Sequence, residues 1–182
     1  MHILGVDIGG TGIKAAVIDT RTGKLIGEHK RIPTPKPATP ENIAASLSHL
    51  ITESGWSGPI GCGFPATVHH GVAYSASNID PSWINTDAQT LFSEITGQPC
   101  FVVNDADAAG MAEMRFGAGQ NQHGITILLT IGTGIGSAVF VNGELHPNTE
   151  LGHLKFAGDI AERYCAESTR INQHLSWQEW GT

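Results

Sequence analysis

The chain has 182 residues, of which 40% are hydrophobic, with a mean hydropathy of −0.06 and a formal net charge of −7. This length suffices for one ordinary domain or for two small lobes that share a cleft. No apolar run approaches the roughly 20 residues that a bilayer span needs, and no signal peptide precedes the first strand. We therefore expect a globular protein with no membrane partner. The acidic balance argues against a nucleic-acid partner.

Apolar alternation over residues 2–31 predicts three strands, with a turn at Thr22-Gly23. The proline-rich stretch 33–40 predicts a crossover loop, because proline lacks an N–H group and restricts the residue before it. Thr39-Pro40-Glu41 then resembles a helix start, and the apolar spacing that follows predicts a helix ending near Gly55.

Short apolar runs at 60–64, 72–74 and 100–103 predict further strands. A helix capped by Thr86 or Asp87 is expected before the last of these, and another over 106–116. A second hairpin is expected over 125–141. This order, a hairpin sheet followed by β–α units, predicts an α/β fold with two related lobes.

Three cysteines, Cys62, Cys100 and Cys165, lie far apart and form no CxxC pair. A structural zinc site of the usual spacing is therefore not expected. We interpret all three as buried free thiols in a reducing compartment, which predicts a cytoplasmic protein.

Basic residues are concentrated near the start of the chain, where six of the ten Lys and Arg fall within the first 36 positions. They are Lys14, Arg21, Lys24, Lys30, Arg31 and Lys36. A solvated hairpin surface explains this cluster, and so does a basic lip that binds a polyanion. Charge alone leaves both interpretations open.

Two glycine-rich turns lie about one domain length apart. The first spans Asp7 to Lys14 (DIGGTGIK), and the second spans Thr130 to Gly136 (TIGTGIG). Glycine reaches positive φ at little steric cost, so backbone N–H groups in such turns can converge on an anion, although any tight hairpin also favours glycine. Two such turns, with Asn104-Asp105 between them, predict a cleft that grips a phosphate chain from both sides.

Two carboxylates, those of Asp7 and Asp105, lie at positions where strands are expected to end. Asp105 follows a buried strand, at the sheet edge where α/β proteins bind ligands, and a helix N-terminus would keep it ionised as a proton acceptor. A simple helix N-cap formed by Asn104 or Asp105 is the alternative. Asp7 could hold a hydrated Mg²⁺ that bridges to phosphate, or it could form an Asx-turn. Lys14 would direct its charge to the phosphate side if its strand alternates as predicted.

Glu150 and His153 are three residues apart, beside Asn148. In a turn that contains a glycine, both side chains can point at one small polar ligand, or the segment can be an ordinary surface turn. The pair lacks the spacing of a metalloprotease zinc site.

Four motifs occur in order along nearly the whole chain: Asp-x-Gly-Gly-Thr-x-x-Lys, Asn-Asp-Ala-x-x-Ala-x-x-x-Glu, Gly-Thr-Gly-Ile-Gly and Glu-x-Gly-His. This series resembles the ROK family of sugar kinases. Further details resemble its polyphosphate-dependent glucokinases. They are the Thr-Pro-rich loop at 34–40, Ser77-Asn78-Ile79-Asp80 with Trp83, the segment 104–110, and Pro147-Asn148-Thr149-Glu150.

The resemblance implies the two-lobed sugar kinase/actin-like ATPase (ribonuclease H-like) fold, with a small lobe at 1–104 and the start of a larger lobe at 105–182. It implies that Asp105 is the general base. The implied sugar-binding residues are Asn78, Asn104, Asp105, Glu150, His153 and Glu162. The implied phosphate-binding residues are Asp7, Gly9, Gly10, Thr11, Lys14, Thr130, Gly132, Thr133 and Gly134, with Asp7 also a ligand of Mg²⁺. We further expect a homodimer.

Three features depart from the wider family. The cysteine-rich zinc segment that follows Glu-x-Gly-His in many members is absent, as it is in the polyphosphate-using branch. We also expect no DNA-binding helix-turn-helix before Met1, which argues against the repressor branch. No second Gly-Gly follows Gly9-Gly10, although family members carry one near the nucleotide base, so we expect a chain truncated at its C-terminal end.

The expected activity is transfer of a phosphoryl group from inorganic polyphosphate, ATP or both to the 6-hydroxyl of glucose. Polyphosphate is the expected better donor, because it needs no pocket for adenine. Two alternatives remain at this point. One is a non-catalytic sugar-binding remnant or interaction protein of the same fold, and the other is an actin-like structural ATPase.

Overall fold

The computed structural model describes residues 1–181, which separate into two compact units. Unit 1 runs from Met1 to Ala108, and unit 2 begins at Ala109. Unit 1 contains, in chain order, β1 (His2–Ile8), β2 (Gly12–Asp19), β3 (Lys24–Pro33), α1 (Pro40–Ser54), β4 (Ile60–Phe64), β5 (Val68–His69), β6 (Val72–Ala73), β7 (Thr86–Asp87), α2 (Ala88–Thr96), β8 (Cys100–Asn104) and the start of α3 (Asp105–Phe116). The predicted α/β alternation is confirmed.

The main sheet of unit 1 has the strand order β3-β2-β1-β4-β8. The first three strands form an antiparallel meander, whereas β4 and β8 run parallel to β1. Asp7 of β1 lies opposite Gly63 of β4, which in turn lies opposite Val103 of β8. The carboxyl ends of the three parallel strands therefore meet at one edge of the sheet, where parallel α/β sheets bind ligands.

The core of unit 1 lies between one face of this sheet and the helices α1 and α2. Val6 and Ile8 of β1 point into it, as do Leu47 of α1 and Phe92 of α2. Burying a side chain of this size contributes about 1.5–3 kcal/mol. Trp83 belongs to the same core, with its ring centroid 4.6 Å from that of Phe64, so its contribution is to packing.

Helix α1 begins and ends where the sequence predicts. The Thr39 hydroxyl accepts a hydrogen bond from the Asn42 N–H at the first turn. Gly55 adopts the left-handed conformation with φ 63° at the other end. Such a C-terminal glycine satisfies carbonyl groups of the last turn without a Cβ penalty. The predicted cap of α2 is Asp87, whose carboxylate accepts from Thr90 N–H.

Unit 2 contains a smaller sheet with the strand order β11-β10-β9. Its elements are β9 (Ile125–Ile131), β10 (Ile135–Val141), β11 (Glu144–His146), β12 (Lys155–Phe156), β13 (Asp159–Ile160), α4 (Glu162–Cys165), α5 (Glu167–Asn172) and α6 (Trp177–Trp180). The predicted hairpin over 125–141 is confirmed as β9 and β10.

The cysteine prediction is right for two of the three residues. Cys62 and Cys100 are buried free thiols, and burial raises the pKa of both. Cys165 is free but exposed, because the four-residue helix α4 has no buried residue. Among residues 1–181, no helix is both long and apolar enough to cross a bilayer.

Candidate active site

The first glycine turn joins β1 to β2. The Gly9 N–H donates to the Gly12 carbonyl at 3.0 Å and closes the turn. The N–H groups of Gly10 and Thr11 have no acceptor within residues 1–181, and both residues are exposed. The turn therefore presents two adjacent backbone donors to solvent, an arrangement that suits an anion.

Charged side chains line the strands beside this turn. Lys14 Nζ lies 3.0 Å from Asp7 Oδ2, and both side chains are about half exposed. Asp7 and Lys14 are cross-strand partners, and Lys14 is also opposite Arg31 of β3. Residues directly opposite each other project from the same face of a sheet, so the three form one row.

Arg31 lies against the turn itself. A Cβ on Gly12 would be 2.8 Å from Arg31 Nε, so glycine at this position makes room for the guanidinium. Lys30 points to the other face, where its ammonium donates to the Glu53 carbonyl at 2.9 Å. Strand alternation thus places Lys14 and Arg31 on the face of the sheet beside the turn and Lys30 on the other face. A count of charges does not reveal this difference.

Asp105 opens helix α3, and its neighbour Asn104 supplies the cap. Asn104 Oδ1 accepts from Asp107 N–H at 3.0 Å, while its Nδ2 donates to the Ala66 carbonyl at 3.0 Å. Because Asn104 caps the helix, Asp105 is left for another role. Its carboxylate accepts from the Ala106 N–H at 2.8 Å and remains accessible to solvent.

The surroundings of Asp105 disfavour its charged form. Partial desolvation raises the pKa of Asp105 above its ordinary value of 3.8, and the nearby carboxylates of Asp7 and Asp107 raise it further. The hydrogen bond from Ala106 N–H opposes this shift. Gly63 borders the Asp105 backbone, since a Cβ on it would lie 3.5 Å from Asp105 Cα. Glycine at position 63 therefore leaves the space beside Asp105 free of a side chain from that position of β4.

The second glycine turn joins β9 to β10 and repeats the pattern of the first. Gly132 N–H donates to the Gly134 carbonyl at 3.0 Å. The N–H groups of Thr133 and Gly134 have no acceptor in the described part of the chain. Thr130, also predicted to bind phosphate, is exposed at the end of β9.

Three predicted sugar-binding residues of unit 2 come together. His153 Nδ1 lies 3.8 Å from Glu150 Oε2, and His153 Nε2 lies 3.5 Å from Glu162 Oε1. The other oxygen of Glu162 accepts from Ile135 N–H at 3.1 Å. Glu162 therefore links the Glu150–His153 pair to the second turn, a connection that local sequence does not reveal.

The remaining sugar-binding predictions fall in unit 1. Asn78 is exposed, and a Cβ on Gly10 would lie 3.6 Å from its carbonyl oxygen, so it borders the first glycine turn. Asn104 is buried, with both ends of its amide bonded to the protein. The sugar contacts of both residues stay predictions.

The donor set fits magnesium held largely by phosphate and water. Within residues 1–181, no three His, Cys, Asp or Glu side chains form a cluster that could hold a metal ion by themselves. Mg²⁺ commonly takes one or two carboxylates and completes its shell with water and substrate phosphate oxygens. Asp7, beside a turn with two available N–H donors, offers one such carboxylate.

Comparison with known proteins shows which family the chain resembles. The ROK family profile matches residues 3–176. A polyphosphate glucokinase of Mycobacterium tuberculosis H37Rv is 47% identical over 180 residues, which cover 98% of this chain and 68% of that protein. A glucokinase of Streptomyces coelicolor is 32% identical over 170 residues, which cover 86% of this chain and 50% of that protein.

Solved structures show the same fold. The inorganic polyphosphate/ATP-glucomannokinase from Arthrobacter sp. strain KM superposes with a TM-score of 0.93 at 46% identity, covering 98% of this chain and 74% of that one. A family glucokinase from Streptomyces griseus, solved with glucose and AMPPNP, has a TM-score of 0.81 at 28% identity. That match covers 95% of this chain and 62% of the other.

Proposed function

Since the chain belongs to the ROK family, we propose that it transfers a phosphoryl group from inorganic polyphosphate, ATP or both to the 6-hydroxyl of glucose. One observation carries the proposal. Asp105 lies at the edge of the sheet where the parallel strands end. Asn104 caps helix α3, so the Asp105 carboxylate is not needed as the cap, and the pKa of Asp105 is raised. A perturbed carboxyl at such an edge is the pattern of a working acid–base group. Relatives that phosphorylate glucose supply the substrate class.

Asp105 acts as the general base. The oxygen of the 6-hydroxyl attacks the terminal phosphorus of the donor, and its proton passes to the Asp105 carboxylate. The bond between that phosphorus and the bridging oxygen breaks, which releases a polyphosphate one unit shorter, or ADP. A raised pKa lies closer to neutral pH, and a general base is most effective when its pKa is near the working pH.

Glu150, His153 and Glu162 bind the sugar in this proposal, with Asn78 and Asn104 as further contacts. The two carboxylates on either side of His153 provide acceptors for sugar hydroxyls, and the imidazole adds a donor or an acceptor. A site built to pair hydroxyl groups discriminates against sugars that lack or invert them, because its polar groups then lose partners. We expect glucose, mannose and glucosamine to be better substrates than galactose.

The two glycine turns hold the donor phosphates. Gly10, Thr11, Thr133 and Gly134 contribute backbone N–H donors, and Lys14 contributes a positive charge beside the first turn. Asp7 would hold Mg²⁺, which when bound neutralises phosphate charge. Phosphoryl transfer depends mainly on such positioning and charge stabilisation.

Polyphosphate is the proposed better donor. Both turns and the Lys14–Arg31 pair bind phosphate groups, and none of these contacts requires an adenine ring. The location in the cytoplasm and the homodimer stay predictions from sequence, which fractionation and sedimentation would test.

Initial rates with glucose and Mg²⁺ test the proposal, with ATP and long-chain polyphosphate compared as donors. The control is Asp105→Asn, which keeps an oxygen that can accept from Ala106 N–H and removes the base. We expect glucose 6-phosphate from the unmodified chain and a fall in kcat of about 10²- to 10⁴-fold in the variant.

Equal activity in the two proteins would exclude Asp105 as the base. Glucose binding by calorimetry without turnover in either protein would favour the non-catalytic sugar-binding alternative. Filament formation without sugar binding would favour the structural ATPase. A clear preference for ATP would overturn the donor assignment alone.

A further inference from the structure

Each glycine turn is bound by one hydroxyl residue that lies outside the turn and to which the sequence analysis assigns no role. We propose that Thr34 in unit 1 and Ser168 in unit 2 are positioning residues that orient the backbone N–H groups of the two turns toward phosphate. This inference rests on the proposed function for its kinetic consequences, but the turns' affinity for a phosphate chain can be measured without catalysis.

Thr34 binds the first turn through two donors. Its N–H donates to the Thr11 carbonyl at 3.4 Å, and its hydroxyl donates a short hydrogen bond to the Gly9 carbonyl. Thr34 is buried, at 7% exposure, although it belongs to a proline-rich loop that would otherwise be free to face solvent.

Ser168 binds the second turn in the same way. Its N–H donates to the Gly132 carbonyl at 3.2 Å, and its hydroxyl donates to the Thr133 carbonyl at 2.6 Å. The two residues come from unrelated elements, since Thr34 follows β3 and Ser168 lies in α5. Each uses one backbone and one side-chain donor on two carbonyls of one turn.

Peptide planarity explains why these contacts matter for the opposite side of each turn. The carbonyl of one residue and the N–H of the next belong to one rigid plane and point in opposite directions. Holding the Gly9 carbonyl therefore fixes the Gly10 N–H. Holding the Gly132 and Thr133 carbonyls fixes the N–H groups of Thr133 and Gly134.

The groups fixed in this way are three of the four turn N–H groups that lack an acceptor within residues 1–181, the fourth being the Thr11 N–H. Gly10, Thr133 and Gly134 N–H donate to nothing within residues 1–181, and each lies directly after a carbonyl that Thr34 or Ser168 holds. Donors that are already oriented bind an anion without first losing backbone freedom, which is the advantage of a preorganised site. Thr34 and Ser168 thus act on the donor phosphates through the turns.

The test removes each hydroxyl and then restores it. Thr34→Val and Ser168→Ala delete the side-chain donor, while Thr34→Ser and Ser168→Thr keep it. Thr52→Val and Ser46→Ala serve as matched controls, because these hydroxyls donate to carbonyls within α1. We expect the deletions to raise the donor KM about 3- to 10-fold, as loss of one hydrogen bond implies. The glucose KM should stay within about 2-fold, and the restoring variants and controls should resemble the unmodified chain.

A titration with tripolyphosphate, followed by amide NMR, separates this inference from the proposed function. The Gly10 amide should shift in the unmodified chain and respond more weakly in Thr34→Val. The Gly134 amide should do the same in Ser168→Ala, whereas the Thr133 amide should respond as in the unmodified chain, because the Ser168 N–H still binds the Gly132 carbonyl. Binding with this pattern but without glucose phosphorylation would remove the proposed function and keep the inference. Donor KM and amide shifts that are unchanged in the deletion variants would overturn it. So would equal rises in donor and glucose KM with a lowered Tm, which would indicate a merely structural role.

Discussion

Both units contain a similar glycine turn, but the strands that precede the two turns differ in how well they are buried. In unit 1 the strand before the turn, β1, is flanked by β2 and β4 and packs its apolar face against two helices. In unit 2 the corresponding strand, β9, is the edge of its sheet. Four of its apolar residues are exposed: Ile125, Ile127, Leu129 and Ile131. The turn geometry is therefore a local property of the glycine-rich sequence and the hydroxyl that holds it, since it forms with and without a closed core beneath it.

The units also differ in charge around their turns. The first turn has an ion pair and a guanidinium on adjacent strands. In the second, a carboxylate of Glu162 accepts from the backbone where β10 begins. Unit 1 is thus electrostatically suited to phosphate, and unit 2 places its acidic groups where the sugar is proposed to bind.

The largest expected contrast is in stability. Ile8→Ala opens a cavity beneath the first turn, because Ile8 is completely buried, and should lower the free energy of unfolding by about 2–5 kcal/mol. Ile127→Ala removes the same atoms from a side chain that is 54% exposed. This substitution should change the free energy of unfolding by less than about 0.5 kcal/mol. Urea unfolding followed by circular dichroism measures both. Similar losses of unfolding free energy in the two variants would show that β9 is buried to the same degree as β1.

Alanine substitutions at two glycines of the second turn should show which position needs glycine for steric reasons. A Cβ on Gly134 would lie 2.4 Å from Glu162 Oε2, whereas a Cβ on Gly132 meets nothing within 4 Å. We expect Gly134→Ala to displace Glu162, leave the Ile135 N–H unpaired and cost about 1–3 kcal/mol. Gly132→Ala should leave the melting temperature unchanged.

The NMR signals of the His153 ring report on the same contrast, since His153 contacts Glu162. They should move in Gly134→Ala and stay in place in Gly132→Ala. Identical ring shifts in both variants would contradict the link between Glu162 and His153.

The pKa of Asp105 should fall when a neighbouring negative charge is removed. In Asp7→Asn the carboxylate that disfavours ionisation of Asp105 is gone, so the pKa drops and the base stays active to lower pH. The Asp105 carboxyl resonance, followed by NMR without Mg²⁺ because Asp7 is the proposed metal ligand, should therefore titrate at lower pH. Asp19→Asn is the control, because Asp19 lies at the far end of β2, opposite His2. An equal shift in the control would contradict a local effect of Asp7.

The smallest expected effect concerns salt. Arg31→Gln removes a charge beside the first turn, and the donor KM for polyphosphate should rise about 2- to 3-fold at low ionic strength, with a weaker dependence on salt. Arg21→Gln, which changes an exposed arginine near Asp19, should leave both unchanged. A salt dependence that persists fully in Arg31→Gln would assign the polyanion contact to another group.

The sequence by itself predicted most helices and longer strands of unit 1 and the hairpin of unit 2, because these depend on local chemistry. Thr39 and Gly55 mark the ends of α1 through capping and a left-handed turn, each a property of one residue type. The glycine turns were predictable because only glycine combines close approach with conformational freedom. The motif order was enough to recognise the family, which the family profile confirms.

Only the tertiary structure decided which of several equivalent residues does what. Lys30 and Arg31 are adjacent in sequence, yet strand register and alternation send one to α1 and the other to the turn. Asn104 and Asp105 were both candidates for the cap, and the contact of Asn104 with Ala66, distant in sequence, assigns the cap to Asn104. The role of Thr34 and Ser168 was not visible in their local sequence, since it arises from carbonyls that lie 23 to 36 positions earlier in the chain. Such contacts depend on the packing of separate elements, and a sequence pattern read within one element does not contain that information.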